Sequence, residues 1–349
     1  MGRLFFCFSL LFLLGCKDTP STSAPIKDYH KLRGITMGVI PYNITYQDYQ
    51  NRQLQPTIDS LLADLNMGSS TYEEQSTITQ FNQSDTGIIA KNIGHAAHFI
   101  KNVLVSKEIV EKTEGYFDPT VKPLMEYYGF IKKKEATQVI IDNGKIQELL
   151  SIIGFDKISV KKEGNKFTIG KTNPSVQLDF SAIAKGYAVD EVGRLLEQRN
   201  IRNYLVEIGG EVRAKGKNTT GNWWKIGIKK PNPEASSKPF MEAISLQNTS
   251  MATSGNYENY RIIEGKKMGH TMNPKTGVPE LNSLLSASVF AKDCMVADSY
   301  ATALMAMGLD KALSLVQELP EIEAYFVFLN EEGEIKTHYT TGLAKFFDQ

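Results

Sequence analysis

The sequence predicts an α+β domain in which mixed, mostly antiparallel sheets pack against helices. Apolar residues recur at helical spacing in several segments, such as Leu54 to Leu65. Short apolar runs bounded by turn residues, such as Leu285 to Phe290, indicate strands. Helices and strands do not alternate strictly as in βαβ units, which favours α+β over a parallel α/β sheet. No internal repeat or composition break divides the body, so we expect a single domain.

The first half of the body contains two long predicted helices and several short strands. A strand opens at Arg33 and runs to Tyr42, with two glycines within it. The helix from about Gln53 tolerates Pro56 in its first turn. A polar loop follows over residues 70–82. Further helices are predicted at 96–111 and 146–153, and further strands at 158–160, 166–169 and 176–179.

In the second half, strands predominate and two helices lie near the end. A helix is predicted from Ser181, and a strand over 204–211 reaches a double-glycine turn. Residues 250–257 are small and predict a loop. The helix 295–307 ends at Gly308, a residue type suited to a C-terminal cap. The other predicted elements are strands 224–230, 243–246, 285–290, 324–329 and 335–339, a hairpin over 260–270, and a helix over 312–317.

Composition excludes several classes of function. The 349 residues carry 39 basic and 39 acidic side chains, so the chain lacks the basic footprint of a nucleic-acid-binding protein. It contains no Gly-rich Walker loop, no GxGxxG after a strand and no GxSxG, which argues against common nucleotide-binding and hydrolase folds. Histidines and cysteines are too few and too scattered for a zinc site.

The N-terminus has the pattern of a targeting segment. Arg3 is followed by an almost unbroken apolar run, Leu4 to Leu14, that is short for a membrane span and typical of a signal peptide. The run ends in Leu-Leu-Gly-Cys, which resembles a bacterial lipobox, so we predict a signal peptide over 1–15 and lipidation of Cys16. The alternative is a plain secretory signal. Residues 16–29 are then a flexible tether and residues 30–349 the functional domain.

The stretch from Leu178 to Asp190 is the first candidate for a binding site. A predicted strand ends at Asp179, and a predicted helix begins at Ser181, a favoured N-cap residue type. A helix N-terminus offers unpaired N–H groups and a positive dipole end, and Lys185 adds a full charge. The hypothesis is that this junction holds the phosphates of a nucleotide. The alternative is an ordinary strand-to-helix connection with solvated charges.

Asp298 and Thr302 form a second candidate site. They lie four residues apart on the predicted helix 295–307, which places a carboxylate and a hydroxyl on one face. Such oxygen ligands suit a hard cation such as Mg²⁺, which keeps positions for water and substrate phosphate. Alternatively, Asp298 is an exposed residue near a helix start that stabilises the helix dipole.

A histidine and several apolar residues complete the set of candidates. His270, next to a proline-containing turn, could act as a general base or could be a structural histidine. Met272 would share its face if the strand continued, and core packing is the alternative. Tyr72 and Phe117 could stack on a flat ring or pack in the core.

Five segments in order resemble the ApbE family of FAD:protein FMN transferases. The first is Gly34 to Gly38 with Tyr42, which resembles the opening strand of the family. The others, with the motifs that they resemble, are 115–124 (GxFDPTVxPL), 178–186 (LDLGGIAKG), 250–257 with 270–277 (SxATSGxY and HxxxPxTG), and 298–302 (DxxxT). The resemblance spans nearly the whole body after the tether. No single motif is decisive, but their order and completeness are.

The resemblance implies a single ApbE-like domain, related to the T-fold, in a Mg²⁺-dependent periplasmic enzyme anchored to a membrane by lipid. It would transfer the FMN half of FAD to a Thr or Ser hydroxyl of a target flavoprotein and release AMP. His270 would be the possible base, and the metal would be held by Asp298, Thr302 and the carbonyl of Ala182. The residues implied to contact FAD are Met37, Tyr72, Phe117, Asp118, Asp179, Lys185 and Met272.

Two departures from the family pattern are visible. Ser181-Ala182 replaces the usual glycines, and Glu211 stands where Asp is common. Neither departure removes a side-chain ligand.

Three functions remain open. The first is the flavin transferase, the second an FAD pyrophosphatase that uses water as nucleophile, and the third a flavin-binding lipoprotein without turnover. A pure binding protein would need neither a base nor an open metal site, so His270, Asp298 and Thr302 favour catalysis.

Overall fold

A computed structural model of the chain describes residues 28–131, 141–230, 240–256, 260–263, 266–280 and 282–347. The predicted signal peptide, Cys16 and most of the predicted tether lie outside these residues. Tyr29, assigned above to the tether, is the first residue of the first strand, so the folded body includes at least one residue before the expected boundary at 30.

The described residues form seventeen strands and eight α-helices. The strands are β1 (Tyr29–Thr36), β2 (Ile40–Gln47), β3 (Gly87–Lys91), β4 (Ile158–Glu163), β5 (Lys166–Lys171), β6 (Tyr204–Ile208), β7 (Glu211–Lys215), β8 (Trp224–Lys229), β9 (Phe240–Leu246), β10 (Ser250–Gly255), β11 (Tyr260–Ile263), β12 (Lys266–Gly269), β13 (Met272–Asn273), β14 (Val278–Pro279), β15 (Leu284–Ala291), β16 (Ile322–Leu329) and β17 (Ile335–Tyr339). The helices are α1 (Gln55–Ser69), α2 (Thr77–Gln83), α3 (Gly94–Lys112), α4 (Lys122–Tyr127), α5 (Asn143–Ile152), α6 (Ala184–Gln198), α7 (Cys294–Met307) and α8 (Leu309–Glu318).

An eight-stranded antiparallel sheet is the centre of the fold, with the strand order β1-β2-β6-β7-β10-β15-β16-β17. Smaller antiparallel units are the three-stranded β3-β5-β4 and the pairs β8-β9, β11-β12 and β13-β14. Strand β15 is buried along nearly its whole length, which explains its almost continuous run of apolar and small residues. The predicted α+β class with mostly antiparallel sheets is therefore confirmed.

The main core lies between one face of the large sheet and helices α1, α3, α6 and α7. Its members include Tyr42 of β2, Phe99 of α3, Val189 of α6 and Leu304 of α7. A second cluster covers the other face of the sheet with the β8-β9 hairpin and the 3₁₀ helix Thr341–Phe346. A third, smaller cluster joins α4 and α5 to β11, β12 and β13. Within the described part of the chain, no helix is both long and apolar enough to cross a membrane.

Two predicted boundaries in the first half are wrong. The opening strand over 33–42 is the end of β1, a turn at 37–39 and the start of β2, because Met37 and Gly38 have φ values of 47° and 82°. The expected loop over 70–82 contains helix α2. That helix begins after Ser76, whose Oγ accepts a hydrogen bond from the Thr79 N–H at 3.2 Å.

The predicted loop over 250–257 is largely strand β10, which pairs with β7 and β15. Its small residues are explained by packing, because α7 lies against β10 and β15. The loop was predicted because small residues are common in loops. In the structure, these small residues instead allow a helix to approach the sheet closely. The expected strand over 176–179 is also wrong, since these residues form no ladder.

Candidate active site

The segment before α6 is held by side chains and loops instead of a sheet. Leu178 exchanges hydrogen bonds with the Asn82 side chain at 2.7 and 2.9 Å. The Asp179 N–H donates to the carbonyl oxygen of Pro119 at 2.7 Å, which joins the predicted FAD loop 115–124 to this segment. These bonds satisfy backbone groups of the segment although it belongs to no sheet.

Helix α6 begins at Ala184, three residues later than predicted. Ser181 lies in a turn, and its N–H donates to Asp179 Oδ1 at 2.7 Å, as in an Asx turn. Ile183 occupies the N-cap position and its side chain makes no capping hydrogen bond. The predicted junction, a strand that ends at Asp179 and a helix capped by Ser181, is therefore wrong. Lys185 nevertheless lies in the first turn of α6, and the half-buried Ala182 lies two residues before the helix.

Three charged side chains meet at this helix start. Lys185 Nζ pairs with Glu211 Oε1, and Asp298 lies close enough to both to influence their protonation. Burial lowers the pKa of Lys185, but the Asp298 and Glu211 carboxylates more than offset this and raise it above its usual value. Burial raises the pKa of Glu211 and of Asp298, while Lys185 opposes both shifts. The group contains one ammonium and two carboxylates.

Asp298 and Thr302 share one face of α7, as predicted. The Asp298 side chain is 3% exposed, so the alternative of a solvated surface carboxylate is wrong. Asp298 Oδ2 accepts the Gly186 N–H at 3.0 Å, and Thr302 Oγ1 lies 3.2 Å from Ser254 Oγ on β10. Helix α7 therefore faces the start of α6 through its carboxylate and the sheet through its hydroxyl.

Phe117 and Asp118 lie beside this region on the loop after α3. Phe117 is buried in the main core. Asp118 Oδ1 accepts hydrogen bonds from the Thr120 N–H at 2.8 Å and from the Thr120 hydroxyl at 2.7 Å. Burial raises the pKa of Asp118 to about 6, although these hydrogen bonds favour the charged form. Two hydrogen bonds from Thr120 thus orient this carboxylate, while burial favours its protonated form.

The turn between β1 and β2 approaches the same region. A side chain at Gly209 would lie 2.7 Å from Ile40 Cγ2 and 3.4 Å from Lys185 Cδ, so the double-glycine turn separates the hairpin from Lys185. Met37, at this turn, lines a cleft of about 320 Å³ between the hairpin and α1. Tyr72 is 75% exposed on the turn after α1.

His270 and Met272 lie on the segment between β12 and β14. His270 is half-buried. The residue before it, Gly269, packs against the side chain of Asn256, which directly follows β10. Met272 is buried in the third cluster, so it packs in the core, as the alternative interpretation expected. A contact between Met272 and FAD stays a prediction. Lys275 Nζ lies 5.9 Å from the centroid of the Tyr116 ring, which brings this segment beside the 115–124 loop.

The structure thus brings Lys185 and Asp298 together at the start of α6, and the loop that carries Asp118 is bonded to Asp179 through Pro119. Thr302 lies one turn along α7 from Asp298, and Met37 and His270 lie on separate loops. Two residues at the site were not among the predicted site residues. Glu211 and Ser254 carry signals that could have revealed them, since one follows a double glycine and the other lies in the small-residue motif. Their pairing with Lys185 and Thr302 is a tertiary contact that no spacing in the sequence encodes.

The described residues contain no group of three or more His, Cys, Asp or Glu side chains placed to bind a metal ion. The predicted metal set does not require one, because it combines the Ala182 carbonyl, the Asp298 carboxylate and the Thr302 hydroxyl.

Known proteins resemble the chain over most of its length. The FAD:protein FMN transferase of Haemophilus influenzae is 36% identical over 307 residues, which are 86% of this chain and 87% of that protein. The protein of the same name from Vibrio cholerae is 36% identical over 93% of each chain. The structure of the flavin transferase ApbE from Vibrio cholerae superposes with a TM-score of 0.79, at 32% identity, over 91% of this chain and 99% of that one. Residues 37–326 match the sequence model of the ApbE family, so this chain belongs to the ApbE family.

Proposed function

We propose that this protein transfers the FMN moiety of FAD to a Thr or Ser hydroxyl of a target flavoprotein and releases AMP. The observation that carries the proposal is the group of Lys185 with the buried carboxylates of Glu211 and Asp298 at the start of α6, to which the Asp118 loop is joined through Pro119 and Asp179. Binding a flavin alone would not need this concentration of buried charge. Membership of the ApbE family, whose relatives are FAD:protein FMN transferases, supports the same reaction.

The FAD site that we propose extends from the β1-β2 turn to the start of α6. Lys185 would face the pyrophosphate, and Asp118 and Asp179 would accept hydrogen bonds from the ligand. Tyr72 presents an exposed aromatic ring on which a flat ring system could stack. The remaining proposed contacts are Met37, Phe117 and Met272.

A divalent cation fits the charge balance of this site. One ammonium faces two buried carboxylates, so the group carries one uncompensated negative charge when all three are ionised. Glu211 Oε2 is buried and has no hydrogen-bond partner, which is costly for a charged oxygen. We propose that Mg²⁺ is held by Asp298, Thr302 and the Ala182 carbonyl, all oxygen donors of the kind this ion prefers. Bound Mg²⁺ would offset the pyrophosphate charge and help to align the phosphates.

The reaction forms one bond and breaks one bond at phosphorus. The acceptor hydroxyl oxygen bonds to the FMN-side phosphorus, and the bond from that phosphorus to the bridging oxygen breaks, so the bridging oxygen leaves with AMP. The proton of the hydroxyl passes to a base, for which His270 is our candidate. Lys185 stabilises the negative charge that develops on the phosphates.

One incubation tests this function. The protein is mixed with FAD, Mg²⁺ and a candidate flavoprotein, and the target is examined for covalent fluorescence while AMP is measured in solution. We expect both products, and an acceptor with its Thr replaced by Val should remain unlabelled. AMP with free FMN would instead support an FAD pyrophosphatase. FAD that is retained without either product would leave only a flavin-binding protein.

We also propose that the protein is a periplasmic lipoprotein. Residues 1–15 would be removed as a signal peptide, Cys16 would carry the lipid, and the tether after it would separate the membrane from the folded domain, whose first strand begins at Tyr29. The support is the apolar run that ends in Leu-Leu-Gly-Cys. The lipid would be the only contact with the membrane that this function requires.

A further inference from the structure

Helices α6 and α7 begin side by side, and each start is bonded to a carboxylate of the other helix. Asp298 of α7 accepts the Gly186 N–H of α6 at 3.0 Å. Asp190 of α6 accepts the N–H groups of Cys294 and Met295, the first two residues of α7, at 2.9 Å each. The two caps are reciprocal, so the position of Asp298 depends on where the start of α7 is held.

The cap on α7 comes from Asp190 although α7 has a suitable residue of its own. Asp293 occupies the N-cap position and is a favoured residue type there, but its side chain makes no capping hydrogen bond. Asp293 Oδ1 instead lies 3.1 Å from Arg213 Nη1 and 3.3 Å from Arg194 Nη2. The first two N–H groups of α7 are therefore capped by the Asp190 side chain of α6 and not by the Asp293 side chain.

Arg213 fixes Asp190 in turn. Its Nη1 donates to Asp190 Oδ1 at 2.7 Å, and its Nε donates to the Tyr204 hydroxyl at 3.1 Å. Arg213 is two residues beyond Glu211 on β7, so both side chains project from the same face of the strand. Strand β7 thus makes four ion pairs with α6: Glu211 with Lys185, Arg213 with both Asp190 and Glu197, and Lys215 with Glu197.

We propose that Asp190 and Arg213 are positioning residues that hold the start of α7 so that Asp298 faces the start of α6, with Thr302 one turn further along the same helix. Asp190 is fully buried and lies more than one helical turn beyond Lys185, so it acts through the backbone of α7 and not on the ligand. This inference rests on the proposed function, because Asp298 and Thr302 are the proposed metal ligands.

The test compares Asp190→Asn with a matched control, Asp48→Asn. Asp48 has the same bonding pattern, since it is buried, accepts the N–H groups of Gln50 and Arg52, and pairs with the Arg52 side chain. It follows β2, at the opposite end of that strand from the turn with Met37. In each case Asn keeps one acceptor oxygen and presents an NH₂ group where the second oxygen was, so one backbone N–H loses its acceptor.

The readouts are Mg²⁺ binding by calorimetry, amide exchange at Cys294 and Met295, and thermal stability. We expect Asp190→Asn to weaken Mg²⁺ binding by about ten-fold or more and to speed exchange at both amides. Asp48→Asn should lower stability but leave Mg²⁺ binding and both amides unchanged. Arg213→Lys, which keeps the charge and loses the planar fork, provides a milder variant should Asp190→Asn fail to fold, and we expect it to weaken Mg²⁺ binding in the same direction.

Folded Asp190 and Arg213 variants that bind Mg²⁺ as tightly as wild type would overturn the inference, whatever happens to amide exchange. If the wild-type protein itself bound no Mg²⁺, the proposed metal site would fail, and this inference with it. The two failures are distinguishable, because the first appears only in the variants and the second in the wild type.

Discussion

Asp298 is the residue on which the proposed chemistry depends most. It provides the only carboxylate among the three proposed metal ligands, and its burial keeps water from screening the charge. The Gly186 N–H fixes one of its oxygens. A substitution that keeps the shape and removes the charge therefore separates the role of Asp298 in catalysis from its role in packing.

We expect Asp298→Asn to lower flavin transfer by more than about 100-fold, because it removes the charged ligand. Thermal stability should be unchanged or higher, since Asn can still accept the Gly186 N–H and one buried charge is lost. AMP release and a melting curve measure the two effects. Asp310→Asn, at an exposed position in the first turn of α8, serves as control and should transfer normally. Transfer by Asp298→Asn at half the wild-type rate would remove Asp298 from the metal site.

Asp118 predicts a pH dependence of stability. Its pKa is raised to about 6 in the folded protein by burial, against about 4 in the unfolded chain. A carboxyl with a raised folded-state pKa stabilises the fold fully below the unfolded-state pKa, and this contribution is lost as pH rises through the folded-state pKa. We expect wild type to lose about 1–3 kcal/mol relative to Asp118→Asn between pH 4 and pH 6.5. Denaturant unfolding of both proteins across that range measures it, and a constant difference would contradict the prediction.

At the scale of elements, the contact between α6 and α7 determines the shape of the site. A side chain at Gly186 would overlap the carbonyl oxygen of Cys294 and would lie 2.8 Å from Asp298 Cβ. Gly186 lies within α6, where any residue could adopt the backbone conformation. Glycine is therefore required here by the close approach of the α7 backbone and not by its own backbone angles. The first turns of the two helices are thus as close as their backbones allow.

Gly186→Ala should therefore destabilise the protein by about 1–3 kcal/mol, despite the higher helix propensity of alanine. It should also weaken Mg²⁺ binding, because the added methyl group displaces Asp298. Denaturant unfolding and calorimetry are the measurements. Gly144→Ala in α5 is the control, as its methyl group would meet only the end of the Asp142 side chain, at 3.2 Å. Equal stability of the Gly186 and Gly144 variants would show that the helices can separate without cost.

The sequence predicted those elements that carry a strong periodic signal and missed those held by tertiary contacts. The bounds of α3 and α7 lie within two residues of prediction, because each buries a long apolar stripe. Strand β10 was predicted as a loop, since its small residues are explained only by the helix packed against it. The late start of α6 has a similar cause, because the segment before it is bonded to Asn82 and Pro119, far away in the sequence.

At the scale of the whole molecule, the candidate site is assembled from segments spread between Met37 and Thr302. The same distribution explains what the sequence could predict of the site. The predicted helix start indicated Lys185, the four-residue spacing with Thr302 indicated Asp298, and the resemblance supplied Asp118. Pairings such as Lys185 with Glu211 required the fold, because they join α6 to β7 through a contact that no spacing encodes. None of the proposed site residues precedes Met37, so the N-terminal segment is free to serve a different purpose.

That separation leads to a prediction for Cys16. We expect Cys16→Ala to incorporate no labelled fatty acid and to move from the membrane fraction to the soluble fraction, because the thiol is the proposed point of lipid attachment. The purified variant should transfer FMN at the wild-type rate, since the proposed site begins at Met37. Cys7→Ala is the matched control, because Cys7 lies within the predicted signal peptide and the variant should be lipidated normally. Fatty acid that still entered Cys16→Ala would refute the lipobox, and label lost from both variants would instead indicate a general failure of export.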